Sequence, residues 1–209
     1  MNAFTDTPPA VVYVIDDDHS VRAALADLLA SVGITAHTFA STGECLARCL
    51  PNTPACLVLD VRMPGQSGLD FQRQLQQAGL NWPIIFITGH GDIAMCAQAM
   101  KAGAIEFLEK PFREQALLDA IARGLDYART RWQHAAIQQA LQQRWQQLST
   151  GERAVVQRVV QGLLNKQIAW ELGVSEITVK VRRAQAMRKM QAQSVPDLVR
   201  LMEKLDVEK

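Results

Sequence analysis

Four short apolar runs in this chain each end abruptly in a polar residue. Val11-Val12-Tyr13-Val14-Ile15 runs into Asp16-Asp17. Ala55-Cys56-Leu57-Val58-Leu59 runs into Asp60. Pro83-Ile84-Ile85-Phe86-Ile87 runs into Thr88, and Ile105-Glu106-Phe107-Leu108-Glu109 runs into Lys110. Strands that all end this way predict a parallel sheet with one chemical edge, because open α/β sheets build their sites at the carboxyl ends of the strands.

From Val11 to about Arg123 such runs alternate with helix-like segments of about 10–14 residues, each with an apolar face. Ser20–Val32 is the first, with Val21, Leu25, Leu28, Leu29 and Val32 on one side. Ser41 and Ser67 are placed to cap the second and third, Asp92 opens a fourth, and a fifth starts near Arg113. With a further run at 35–39 the count is five strands. Alternation of this kind favours right-handed crossovers and a parallel sheet, here a flavodoxin-like (βα)5 α/β domain.

Beyond it, Leu118, Ile121, Leu125, Ala128 and Trp132 recur at heptad spacing, lose phase near Gln133–Ala136, and resume as Ile137, Leu141, Trp145 and Leu148. Residues 125–148 hold no Pro or Gly, so they read as a long helical connector. Its apolar stripe suits either a coiled-coil dimerisation stalk or packing on a flanking domain. Gly124 is expected to mark a kink or boundary. Ser149 and Glu152 then form an S-x-x-E capping box before an apolar helix. Asn165 is placed to cap a short helix ending at Gly173, Ser175 caps another running to about Met190, and Ser194 with Asp197 makes a further capping box. Helix, tight turn with Gly, helix is the pattern of a helix-turn-helix. The expected domains are 8–124, a helical linker at 125–147, and an all-α four-helix unit at 148–209.

Charge divides along the same lines. Residues 1–124 carry a net −5 and residues 149–209 a net +4, within a chain whose total is only +1. An acidic front half and a basic back half predict different partners. No run of about 18 apolar residues predicts a membrane span, and the first residues lack the basic start and apolar core of a signal peptide. The four cysteines include no CxxC pair and the histidines are scattered, which argues against zinc and for thiols in a reducing, cytoplasmic setting.

The strand-end residues suit a hard divalent cation, Mg²⁺ or Mn²⁺. Asp17 and Asp60 are candidate direct ligands, Asp16 a candidate through water, and the backbone carbonyl of Arg62 a further oxygen. Asp60 is the candidate nucleophile toward phosphorus, with Lys110 and the Thr88 hydroxyl meeting the charge that develops on the phosphoryl oxygens. From Ile177 to Pro196 there is no acidic residue, while Lys180, Arg182, Arg183, Arg188 and Lys189 lie there. A basic second helix in a helix-turn-helix predicts salt-dependent binding to phosphates, with its first turns reaching base edges.

These motifs together resemble a known family. Val14-Ile15-Asp16-Asp17-Asp18, Leu59 to Gly68, Ile87-Thr88-Gly89-His90-Gly91 and Glu109-Lys110-Pro111-Phe112 are similar to the receiver domain of two-component response regulators. Leu148 to Arg153, Asn165 to Ala169 and Leu172 to Val181 resemble the LuxR/FixJ/NarL helix-turn-helix domain. The combination is most like FixJ/StyR-type regulators. The resemblance implies a non-enzymatic regulator, phosphorylated on Asp60 by a sensor histidine kinase, that dimerises and binds specific double-stranded DNA to control transcription, with RNA polymerase as a further partner. It implies switch roles for Thr88 and Phe107, a cis bond at Pro111, and tuning of the phosphoryl lifetime by Arg62 and His90. It places Thr178, Lys180, Val181, Arg182, Arg183 and Arg188 at the DNA, with base readout leaning on Lys180, Val181 and Arg183. The chain departs from the family pattern at Gly151, where Arg is commoner, and at Arg182, where His is common. An Mg²⁺-dependent phosphatase or phosphotransferase, and a receiver joined to an RNA-binding antiterminator, are the alternative readings.

Overall fold

The computed structural model describes residues 8–48, 53–89 and 93–206. The chain divides into two compact units between Gln133 and His134.

The first unit alternates β1 (Val11–Ile15), α1 (His19–Ser31), β2 (Ala36–Phe39), α2 (Thr42–Arg48), β3 (Ala55–Asp60), α3 (Gly68–Gln77), β4 (Ile84–Thr88), α4 (Ile93–Lys101), β5 (Glu106–Glu109) and the start of α5 (Glu114–Gln146). Its strands are all parallel in the order β2-β1-β3-β4-β5. Every residue of β1, β3 and β4 is buried, the property that gives parallel strands their continuous apolar runs. Successive side chains point to opposite faces. Tyr13, Ile15, Leu57, Leu59 and Phe86 join Phe71 and Leu75 of α3 and Ala99 of α4 in one core. Val12, Val14, Val58, Ile85 and Ile87 join Leu25 and Leu29 of α1 and Leu117 and Ile121 of α5 in the other. Each such side chain removed from water contributes about 1.5–3 kcal/mol, so helices on both faces are what the strand composition demands.

The caps lie close to expectation. Asp18 caps α1, its side chain accepting from Ser20 N, and Ser67 caps α3 by accepting from Leu69 N. Ser41 Oγ accepts from Glu44 N at the start of α2. Asp92, expected to open α4, lies outside the described residues.

Gly124 marks no break, because α5 runs through it without interruption. A Cβ at Gly124 would lie 2.5 Å from Cys56 Sγ, so glycine here lets the helix approach β3 closely. The approach seals the Cys56 thiol in the core, where burial pushes its pKa up to about 12. The expected linker also divides differently. Leu125 and Ala128 are buried, Leu125 within the core that α5 shares with α1. Leu141 and Leu148 are buried in the second unit's core, with Trp145 packed against it, while Ile137 is exposed. The apolar stripe thus serves as two packing stripes, one for each unit, and the phase loss near Gln133–Ala136 falls where the units divide.

In the second unit the end of α5 is followed by α6 (Thr150–Val160), α7 (Asn165–Leu172), α8 (Glu176–Met190) and α9 (Val195–Asp206). The capping box of Ser149 and Glu152 is formed in both directions. Asn165 does not cap α7: Leu164 occupies that position, and its N–H donates to Gln167 Oε1 at 2.8 Å. At α9, Ser194 Oγ accepts from Asp197 N, whereas the Asp197 carboxylate accepts from Gln193 N, one residue ahead of the box geometry. Gly173 ends α7 at φ 63, a left-handed conformation that favours glycine.

Candidate functional site

Strand order explains why the acidic residues meet. Beside β1 the chain has placed β2 on one side and β3 on the other, and such a switch point opens a crevice at the carboxyl ends of the strands. The β1–β3 register pairs Ile15 with Leu59, so Asp16 and Asp60 emerge side by side. Ligand oxygens of Asp16, Asp17 and Asp60 all lie within 4.8 Å of one another. Asp16 is fully buried, Asp60 is nearly so, and Asp17 is exposed. The β4–β5 register pairs Thr88 with Glu109, and Lys110 N donates to Thr88 O at 2.7 Å. Lys110 Nζ then reaches Asp16 Oδ2 at 2.7 Å and Asp60 Oδ2 at 3.7 Å. Thr88 is fully buried at the same edge. The Lys110–Pro111 peptide is cis. Phe107 lies on the face covered by α3 and α4, half-buried, with its ring 6.3 Å from that of Phe86. His90 lies outside the described residues.

Two supports were not foreseen. Arg22, one turn into α1, donates from Nη1 to the Asp16 carbonyl at 2.6 Å and to the Asp17 carbonyl at 2.9 Å. One cation thereby ties the acidic loop to α1 through the backbone, leaving the carboxylates to face the crevice. Its only sequence signal is a basic residue shortly after an acidic strand end. The second support is Gly68, where a Cβ would lie 2.5 Å from the Asp60 carbonyl oxygen. Gly68 N donates to Val61 O at 2.9 Å, so the loop after β3 folds back on the strand end as no larger residue allows.

The electrostatics of the crevice favour a bound cation. Burial chiefly raises the Asp60 pKa and the Asp16 carboxylate adds to the rise, while Lys110 and the backbone donors Arg62 N and Val61 N pull against it. A group pushed toward neutrality by burial and a like charge gains from a nearby cation. The donor set of carboxylate oxygens fits Mg²⁺ or Mn²⁺ and excludes metals that prefer sulfur.

The second candidate site is α8, and burial decides how it faces. Val179, Ala186 and Met190 are buried against the unit's core. The opposite face, at 100° per residue, carries Ile177, Val181, Ala184 and Arg188, all exposed, flanked by exposed Lys180 and Gln185. The basic residues do not act as one group. Arg183 Nη1 donates to Asn165 Oδ1 of α7 at 3.1 Å. Lys189 Nζ pairs with the buried Glu152 carboxylate at 2.6 Å and donates to Gln147 O at 3.2 Å. A Cβ at Gly151 would meet the Arg182 guanidinium at 2.8–3.0 Å. The two departures from the family pattern therefore meet in space: the missing side chain at 151 makes room for the larger one at 182. Lys180 lies 3.5 Å from Glu176 across an exposed helix turn, and Thr178 is held at the helix start by Ser175. The structure thus turns Arg182 and Arg183 toward the unit and leaves Lys180, Val181 and Arg188 outward, with Ile177 as an outward residue that charge patterning overlooked.

Known proteins are similar to this chain over both units. The family described as "Response regulator receiver domain" matches residues 12–122, and "Bacterial regulatory proteins, luxR family" matches residues 146–202. Nodulation protein W of Bradyrhizobium diazoefficiens is 48% identical, over 95% of this chain and 87% of its own length. The response regulator protein TodT of Pseudomonas putida is 47% identical, over 94% and 86%. The solved structure of response regulator StyR superposes with a TM-score of 0.88 at 49% identity, covering 94% of this chain and all of that one. Among the described residues, no helix is long and apolar enough to cross a membrane.

Proposed function

The chain belongs to the two-component response regulators that join a receiver domain to a LuxR-type DNA-binding domain, and from that premise we propose that Asp60 is the phosphoryl acceptor through which a sensor histidine kinase controls DNA binding. The observation that carries the proposal is the convergence of Asp16, Asp60, Thr88 and Lys110 from four strand ends on one crevice.

In the proposed transfer an Asp60 carboxylate oxygen attacks the phosphorus of a phosphohistidine. The P–N bond breaks, and the leaving imidazole keeps the electron pair and takes up a proton. Asp16, Asp17, Asp60 and the Arg62 carbonyl would hold Mg²⁺, which supplies charge neutralisation at the phosphoryl oxygens. Lys110, already within 3.7 Å of the Asp60 carboxylate, meets one phosphoryl oxygen as a point charge. The Thr88 hydroxyl donates to another, and its inward movement opens space into which Phe107 repacks. That change alters the α4–β5–α5 surface and favours a dimer, whose two α8 helices address half-sites about one helical turn apart. Phosphorylation shifts this equilibrium only as far as it favours one state over the other.

Light scattering with Mg²⁺ and beryllofluoride, which stands in for the phosphoryl group, tests the proposal. Wild type should become dimeric and Asp60→Asn should not. A dimer forming equally in Asp60→Asn would remove Asp60 from the trigger.

A further inference from the structure

We infer that α8 reads thymine methyl groups through an apolar stripe of Ile177, Val181 and Ala184, so that this protein's target sites are defined by thymines at the positions facing that stripe. The inference rests on the DNA-binding reading and adds to it the class of base-edge contact.

Isolated exposed apolar side chains are ordinary. This group is not scattered. Ile177 is 74% exposed and Val181 50% exposed. Spacings of four and three put them with Ala184 on one line of the helix, directly opposite the buried Val179, Ala186 and Met190. The packing of α8 therefore fixes which residues a groove would meet, and three of the four along that line are hydrocarbon. Exposed Lys180 and Arg188 border them, and residues 177–196 hold no acid. The nearest carboxylate, Glu176, lies beside Lys180 at the helix start. A cation-bordered apolar line complements a major groove, whose walls are phosphate and whose only apolar base-edge group is the thymine methyl.

The other cations of the helix leave this line unchallenged. Arg183 is engaged by Asn165, Lys189 by Glu152, and Arg182 lies over Gly151. Direct hydrogen-bond readout then falls mainly to Lys180 and Gln185 at the margins, with the apolar stripe between them. The first turns of a recognition helix are those that reach base edges, which gives Ile177 and Val181 more weight than Ala184.

The test begins with selection of duplexes from a random library by the full-length protein, in Mg²⁺ and beryllofluoride. The selected site is then resynthesised with deoxyuridine replacing each thymine in turn, which removes the methyl and nothing else. Two or more thymines per half-site should be sensitive, each losing about fourfold in affinity, the effect of one methyl-sized group returned to water. Ile177→Ala should abolish the sensitivity at one thymine and keep it at another, and Val181→Ala should do the converse. Selection of a defined site whose affinity ignores every deoxyuridine replacement would overturn the inference and leave DNA binding intact. Failure to enrich any duplex would overturn the DNA-binding reading and this inference with it.

Discussion

The two candidate sites are built in opposite ways. In the receiver crevice the functional groups face one another: Lys110 lies 2.7 Å from Asp16, and the ligand atoms of three carboxylates lie within 4.8 Å. On α8 the outward residues face solvent, and several of the charges suited to a partner are held by the unit itself. The first site is complete enough that its electrostatics can be read from within. The second acquires its meaning only from what docks on it, so its orientation counts for more than its charge. Acidity and basicity in the sequence point to both sites, but charge counting succeeds only where the fold gathers the charges.

Substitutions at five positions sharpen this contrast. Lys110→Ala should eliminate beryllofluoride-induced dimerisation, because it removes the cation shared by Asp16 and Asp60; light scattering across a beryllofluoride titration reads this directly. Glu152→Gln should destabilise the second unit by about 2 kcal/mol, since it breaks a buried, capped ion pair whose Lys189 end is partly solvated. Burial alone would raise the Glu152 pKa, but Lys189 and the Ser149 donors outweigh it and hold the carboxyl below the usual range. A lowered folded-state pKa contributes stability that is complete above the unfolded value, near 4.5, and is lost as pH falls through the folded one. Denaturant melts between neutral and acid pH should therefore show wild type losing stability below about pH 4.5, and the variant losing less.

Lys180→Ala should weaken duplex binding about tenfold and reduce the salt dependence by one counterion. Arg183→Ala should cost less, because its guanidinium is committed to Asn165. Equal losses from the two, measured by fluorescence anisotropy over a salt series, would favour the uniform basic face over the oriented one. The smallest effect should come from Arg22. Arg22→Ala should lower Mg²⁺ affinity by about tenfold or less, in the range of supporting residues around metal ligands, measured by calorimetry on the unphosphorylated protein. A single nitrogen makes both carbonyl contacts, so Arg22→Lys should restore much of the affinity and Arg22→Met should not.

The receiver was legible because its strands are short, apolar and buried on both faces, so that each run's last residue names a site position. β1 spans the expected residues, and the other strands lie within a residue of expectation at either end. Arg22 and Gly68 were harder to find, since one acts through backbone carbonyls and the other through the absence of a side chain. Gly124 misled for a related reason: propensity counts the cost of glycine in a helix, whereas the Cys56 sulfur that makes it useful comes from a distant strand. Asn165 has the composition of a cap, yet its side chain answers to Arg183, eighteen residues on. The outward line of α8 could have been drawn from the 3.6-residue period, but deciding which side was outward required the burial of Val179, Ala186 and Met190.

The central claim is that a phosphoryl group on Asp60 governs the DNA-binding unit. The most direct test is the affinity of full-length protein for its selected duplex, with and without Mg²⁺ and beryllofluoride, for wild type and Asp60→Asn. The account predicts tighter binding on adding beryllofluoride for wild type alone, with the basal affinity of Asp60→Asn within about twofold of wild type, since the substitution lies outside the helix proposed to meet DNA. Equal tightening in both proteins, or none in wild type that has demonstrably bound beryllofluoride, would contradict it.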